Sequence, residues 1–82
     1  MPHLYILKSL KNGRYYVGST IDLDRRLEEH NQKKSKYTRE AGPFSLVYTE
    51  FFSSPLEARQ REHYIKKLKS RVYIEKLINK GV

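Results

Sequence analysis

Glu62 is the residue with the most chemistry to explain. Read as a helix, residues 54–68 place Ala58, Glu62 and Ile65 at i, i+4 and i+7, so a carboxylate stands in an apolar stripe. An unpartnered carboxylate in such a stripe costs several kcal/mol, so a cation should meet it. On the residues alone, a salt bridge to a core-edge Arg or Lys is the plainer answer. Arg26 poses the complementary question. It flanks a Leu23/Leu27 stripe on a short helix that begins at Asp22. That position sets it against a sheet, where a planar guanidinium fork suits an anion such as phosphate; a solvated helix arginine is the simpler alternative. Arg25 points about 100° away and is discounted. His30, one turn after Arg26, fits two roles equally: a phosphate or tyrosine partner, or a histidine favoured by the helix C-terminus.

Tyr5 and Tyr16 are the remaining candidates. Free tyrosine has a pKa of about 10, so a phenol acts as a base at neutral pH only where nearby cations lower it; Arg26, His30 or a metal ion would do so. Ordinary strand aromatics are the alternative. Between Asn31 and Arg39, Lys33, Lys34, Lys36 and Arg39 surround Tyr37. Phosphate-binding cations around one stackable ring fit single-stranded or distorted nucleic acid, although a solvated loop has the same composition.

These residues need elements to hold them. His3–Leu7 and Arg14–Gly18 read as two strands around Asn12-Gly13, a strong two-residue hairpin signal. With that loop, Ser9 faces Tyr16, Leu7 faces Gly18 and Tyr5 faces Thr20. Tyr5, Leu7, Tyr16 and Gly18 then share one face, while Leu4, Ile6, Tyr15 and Val17 share the other, which reads as the core. In this register the two phenols are about 13 Å apart along the sheet, a separation that a longer loop would shorten, and Gly18 leaves their face open to a ligand. Asp22 caps a helix to about Asn31. Residues 32–43 read as a loop. A third strand spans Phe44–Phe52, with Phe44, Leu46, Tyr48 and Glu50 alternating against Ser45, Val47, Thr49 and Phe51. Ser54-Pro55-Leu56-Glu57 starts a helix that runs to about Leu68. Ser70 caps a last helix carrying Ile74, Leu77 and Ile78. The expected fold is α+β, in the order β-β-α-β-α-α: an antiparallel three-stranded sheet with flanking helices, as one domain over residues 1–82.

Composition narrows the function. The chain has 82 residues, a formal charge of +8 and no cysteine, which excludes disulfides and thiolate zinc sites. His3, His30 and His63 lack paired metal-ligand spacing. No apolar run approaches the ~18 residues of a membrane span, and no signal peptide is visible. The expected compartment is the cytosol, without membrane contact. Residues 1–41 carry nine Lys/Arg against five Asp/Glu, and residues 42–82 carry eight against four. The positive excess is therefore spread through the fold, as on a basic surface that meets a polyanion.

His3-Leu4-Tyr5, then Tyr16-Val17-Gly18, then Asp22-Leu23-x-x-Arg26-Leu27, followed by Ser54-Pro55-x-Glu57-Ala58 and Glu62-His63-x-Ile65-Lys66, resembles the GIY-YIG nuclease superfamily. It is closest to its small stand-alone group, and it is similar to the N-terminal domain of the bacterial excision-repair nuclease subunit. His3 and Leu4 replace the Gly and Ile of the family's name, while Tyr5 is kept. No Asn stands a turn or two after the Glu62 helix, where larger relatives often carry one. The resemblance implies a nuclease that hydrolyses phosphodiester bonds in DNA, rather than RNA, in repair or recombination. It implies one Mg²⁺ or Mn²⁺ ion with Glu62 as its only protein ligand, a catalytic Arg26, and one of Tyr5 and Tyr16 as general base with the other positioning phosphate or water. His30 takes a supporting place, and some relatives carry Tyr there. Two other readings compete: a nucleic-acid-binding module without turnover, and an interaction module that recruits a repair-protein partner.

Overall fold

A computed structural model describes residues 1–31 and 42–80. The element order is β1 (His3–Ser9), β2 (Tyr15–Thr20), α1 (Leu23–Asn31), β3 (Phe44–Phe51), α2 (Pro55–Leu68) and α3 (Arg71–Lys80). The sheet is three-stranded and antiparallel, in the order β2-β1-β3. The fold is α+β, as the sequence implies.

Two details differ from the sequence expectation. Asn12-Gly13 does not form a two-residue hairpin loop. Ser9 N–H donates to the Arg14 carbonyl and Gly13 N–H to the Ser9 carbonyl, both at 2.9 Å, so residues 10–13 form the loop. The buried Ser9 hydroxyl accepts from the Lys11 and Asn12 amides at 3.2 and 3.1 Å, and this side-chain turn outcompetes the tighter one. The register slides by two residues: Tyr5 pairs with Gly18 and Leu7 with Tyr16. An even slide keeps every side chain on its expected face but brings Tyr5 and Tyr16 to diagonal neighbours. The second departure is an irregularity between Ile6 and Leu7 in the β1–β3 pairing, where Ile6 faces Tyr48 and Leu7 faces Leu46. Val47 is the extra residue of this bulge, so the simple alternation of β3 fails. Phe44 packs on one face of the sheet, while Val47 and Tyr48 both pack on the other.

Both faces of the sheet are covered. Tyr5, Leu7 and Phe44 form a small core with Tyr16 and with Leu23 and Leu27 of α1. Leu4, Ile6 and Ile65 form the larger one, with Val17, Phe52, Tyr73, Ile74 and Leu77 among the side chains packed on it. The expectation that Tyr5 and Tyr16 sit on a non-core face is therefore corrected: α1 closes that face, and Tyr5 is only 6% exposed.

Caps fix the helices. Asp22 Oδ1 accepts from the Arg25 amide at 3.1 Å and starts α1. Ser54 Oγ accepts from the Glu57 amide at 3.3 Å, with Pro55 opening α2. Ser70 Oγ accepts from the Tyr73 amide at 3.1 Å and starts α3.

The α2–β3 contact is ionic. The Arg61 fork meets Glu50 at 3.0 and 3.2 Å, and the Tyr48 hydroxyl donates to the same carboxylate. Burial pushes the Glu50 carboxyl up, but Arg61 and Tyr48 outweigh it and hold it below its ordinary 4.5. A depressed carboxyl stabilises the fold fully above its unfolded pKa and progressively less as pH falls through the folded value. Glu50→Gln is thus expected to destabilise the domain by about 1–3 kcal/mol at neutral pH, and by much less at pH 3. Urea midpoints of the two proteins at both pH values check this; a gap that persists in acid would exclude the ionic contribution.

Candidate active site

β2 is an edge strand, and the site gathers along its outer side. Tyr5 of β1 and Glu62 of α2 meet β2 at Gly18 and Ser19, and Arg26 of α1 is in electrostatic reach of both. From β1, the Tyr5 ring crosses directly over Gly18. A Cβ placed on Gly18 would lie 2.5 Å from Tyr5 Cζ and closer still to the hydroxyl. The room above Gly18 is therefore taken by the phenol rather than left open to a ligand, which gives this glycine a different task from the one read in the sequence. It lets Tyr5 reach from a buried position on the central strand to the edge of the sheet. Gly18→Ala is expected to destabilise the domain by about 1–3 kcal/mol through overpacking, because the added methyl collides with the ring of a tyrosine that is only 6% exposed. An unchanged urea midpoint would show that the ring is free to move.

Glu62 reaches the same edge from α2. Its Oε1 accepts from the Ser19 hydroxyl at 2.7 Å, and Lys66 Nζ sits 2.6 Å from Oε2. The Glu62 side chain is 22% exposed, so it faces neither bulk water nor a closed core. Burial raises the Glu62 carboxyl, but Lys66 and Ser19 outweigh it and Arg26 adds to them, so it lies below the usual carboxylate range. It is ionised at neutral pH. The salt-bridge partner anticipated for this residue is present as Lys66, one turn along the same helix.

Arg26 enters from α1, where the Asp22 carbonyl accepts its amide at 3.1 Å. It is exposed, and among the described residues it holds no carboxylate at ion-pair distance. Its charge is nonetheless felt by both Tyr5 and Glu62. Arg25 turns to solvent and pairs with Glu29 at 3.2 Å, as its position on the helix implies.

The phenol, carboxylate and guanidinium are thus mutually within electrostatic reach, although they come from β1, α2 and α1. The sign at Tyr5 runs against the sequence expectation. Burial raises its pKa more than Arg26 lowers it, and Glu62 and Glu29 raise it further. In this state Tyr5 is a neutral phenol that can donate a hydrogen bond. Tyr16 lies beside it on the Leu7 side, edge-on to Phe44 with ring centroids 5.3 Å apart, and its hydroxyl accepts from Asn12 Nδ2 at 3.4 Å.

A cleft of about 560 Å³ opens at this edge, with Tyr5, Tyr16 and Lys66 in its lining. The sequence reading missed Ser19, because strand register decides whether it meets α2. It also missed the pairing of Glu62 with Lys66, for which the i,i+4 spacing was an available signal. His30 falls in the last turn of α1, but its side chain lies outside the described part of the structure, as do Lys33, Lys34, Lys36, Tyr37 and Arg39. Among the described residues, no helix is long and apolar enough to cross a membrane.

Known proteins resemble this chain over nearly its whole length. The UPF0213 protein CPE1444 of Clostridium perfringens is 42% identical over 83 residues, spanning 100% of this chain and 88% of that protein. UPF0213 protein YazA of Bacillus subtilis is 40% identical over 81 residues, spanning 94% of this chain and 82% of its own. The solution NMR structure of the UPF0213 protein BH0048 from Bacillus halodurans superposes with a TM-score of 0.59 at 44% identity, covering 96% of this chain and 84% of that one. The family model described as the GIY-YIG catalytic domain matches residues 1–77, a span that contains every residue of the site, and the chain belongs to that nuclease family.

Proposed function

We propose that this protein hydrolyses phosphodiester bonds in DNA with one divalent cation bound at Glu62, acting on flapped, branched or damaged substrates in repair or recombination. The observation that carries the reading is that Tyr5 and Glu62 meet β2 at the adjacent residues Gly18 and Ser19, with Arg26 in electrostatic reach of both.

The residues fit a single Mg²⁺ or Mn²⁺ ion. Glu62 is an ionised hard-oxygen donor, oriented by Ser19 through one oxygen. Its other oxygen is held by a lysine that is 55% exposed and free to swing away. Among the described residues, no group of three or more His, Asp or Glu side chains gathers, so water and phosphate oxygens would complete the coordination. Held by Glu62, such a cation would supply positive charge to the phosphate and its leaving oxygen. Arg26, unpaired with any described carboxylate, clamps the same phosphate as negative charge grows on it. Tyr5, beside Arg26, would take or direct the proton of the attacking water, and Tyr16 would order the phosphate or that water from the neighbouring register position.

One observation favours a second reading, a nucleic-acid-binding module without turnover. Lys66 pairs with Glu62 at 2.6 Å, and burial holds Tyr5 as a neutral phenol, which is suited to donating a hydrogen bond to phosphate rather than to taking a proton. Incubation with flapped, branched and linear DNA, in Mn²⁺ and in EDTA, separates the two. Metal-dependent cleavage of a branched substrate is the expected result. Salt-sensitive binding with no cleavage above a protein-free control would favour the binding module, and no salt-sensitive binding at all would favour a protein-interaction module.

A further inference from the structure

The cleft at the edge of β2 has Tyr5 in its lining but neither Arg26 nor Glu62, and it extends away from that chemistry. Arg14, Lys69 and Arg71 line it beside Tyr15. Lys69 and Arg71 flank Ser70 between α2 and α3, while Arg14 comes from just before β2. Arg71 stands over the Tyr15 ring at 5.0 Å and is only loosely engaged by Glu75 at 3.8 Å, an exposed pair of little energetic weight.

Lys69 adds a second observation. It ends α2 in the left-handed conformation, with φ 47° and ψ 40°, and its amide donates to the Lys66 carbonyl. Glycine is the residue that takes this conformation without steric cost. A lysine is less favoured than glycine in this conformation, and it sets an ammonium in the cleft lining.

We propose that this far part of the cleft seats the unpaired strand next to the cut bond, with Arg14, Lys69 and Arg71 holding consecutive backbone phosphates. The inference rests on the reading that the chain handles nucleic acid, and it names the substrate form. The cleft has the volume of a small-ligand pocket, so it takes one splayed strand and not a duplex.

Fluorescence anisotropy in EDTA, with a labelled oligothymidylate and a blunt duplex of equal length, tests this without any cleavage step. The wild-type protein is expected to prefer the single strand. Arg14→Ala, Lys69→Gly and Arg71→Ala are each expected to weaken that binding about three- to ten-fold and to reduce the salt slope by about 0.7. Lys67→Ala and Lys76→Ala, which remove the same charge from exposed positions outside the cleft lining, should change it less than about two-fold. Lys69→Gly should leave the melting temperature unchanged or raise it, so its loss of binding cannot be loss of fold. Equal weakening by the outside variants, a preference for duplex, or no binding of the single strand would each overturn the proposal. None of these results depends on metal or on Glu62, so cutting stands or falls separately by the cleavage assay.

Discussion

Glu62→Gln is expected to lower metal-dependent DNA cleavage by about 10³-fold or more, with little change in stability. The glutamine carbonyl can still accept from Ser19, so the bond at 2.7 Å survives. The ion pair with Lys66 is lost, but it is a part-exposed i,i+4 pair, worth only about 0.3–0.5 kcal/mol. What disappears is the negative charge that would hold the cation. A Lewis acid contributes several kcal/mol of charge stabilisation, and each ~1.4 kcal/mol is a factor of ten in rate. Single-turnover cleavage in Mn²⁺, beside a thermal melt, measures both sides. A variant that melts normally and cuts within about ten-fold of wild type would remove Glu62 from the chemistry. A variant that fails to fold would show that Glu62 supports structure, against the partial exposure of its side chain.

Arg26→Lys is expected to reduce the cleavage step by about 10²–10³-fold while leaving the melting temperature and substrate affinity nearly unchanged. Arg26 is exposed, caps nothing and holds no carboxylate at ion-pair distance among the described residues, so the fold does not need it. Lysine keeps the long-range charge and so retains electrostatic attraction to DNA. It lacks the planar two-pronged donor that matches two phosphate oxygens at once. The loss should therefore appear in the single-turnover rate and not in binding measured by anisotropy. Arg25→Ala is the matched control: that side chain is 78% exposed and paired with Glu29, and its removal should alter the rate less than about two-fold. Similar losses in Arg25→Ala and Arg26→Lys would mean that general positive charge, rather than one placed guanidinium, drives the reaction.

Much of this site could be read before any coordinates, and the reasons are local. Asp22, Ser54 and Ser70 announce their helices because a cap is a short-range hydrogen bond. The stripes Leu23/Leu27 and Ala58/Ile65 then fix which way Arg26 and Glu62 turn. The order of elements followed from the same signals. What stayed hidden depends on register and on meetings between distant segments. The Asn12-Gly13 pair suggested the tightest turn, but the buried Ser9 hydroxyl gathers the Lys11 and Asn12 amides into a wider one. That shift of two residues decides how near Tyr5 lies to Tyr16 and which ring covers Gly18. The bulge at Val47 is likewise invisible in a strand whose residues alternate acceptably either way. Ser19 became a partner of Glu62 only once α2 was laid against β2. The sequence also suggested an exposed tyrosine with a lowered pKa. The covered second face gives a buried one with a raised pKa, because desolvation outweighs the single nearby guanidinium.

β1 lies between its two neighbours and sends Leu4 and Ile6 into one core and Tyr5 and Leu7 into the other. Neither hydrophobic cluster can loosen without disturbing the same seven-residue strand. Amide protons of Ile6 and Leu7 should therefore exchange with solvent only through global unfolding, more slowly than those of α1 or α3. Tyr5 is thus anchored in the last segment of the protein to open, while Arg26 projects from α1, which opens sooner. The guanidinium can shift relative to the phenol without any loosening of the strand that holds the ring.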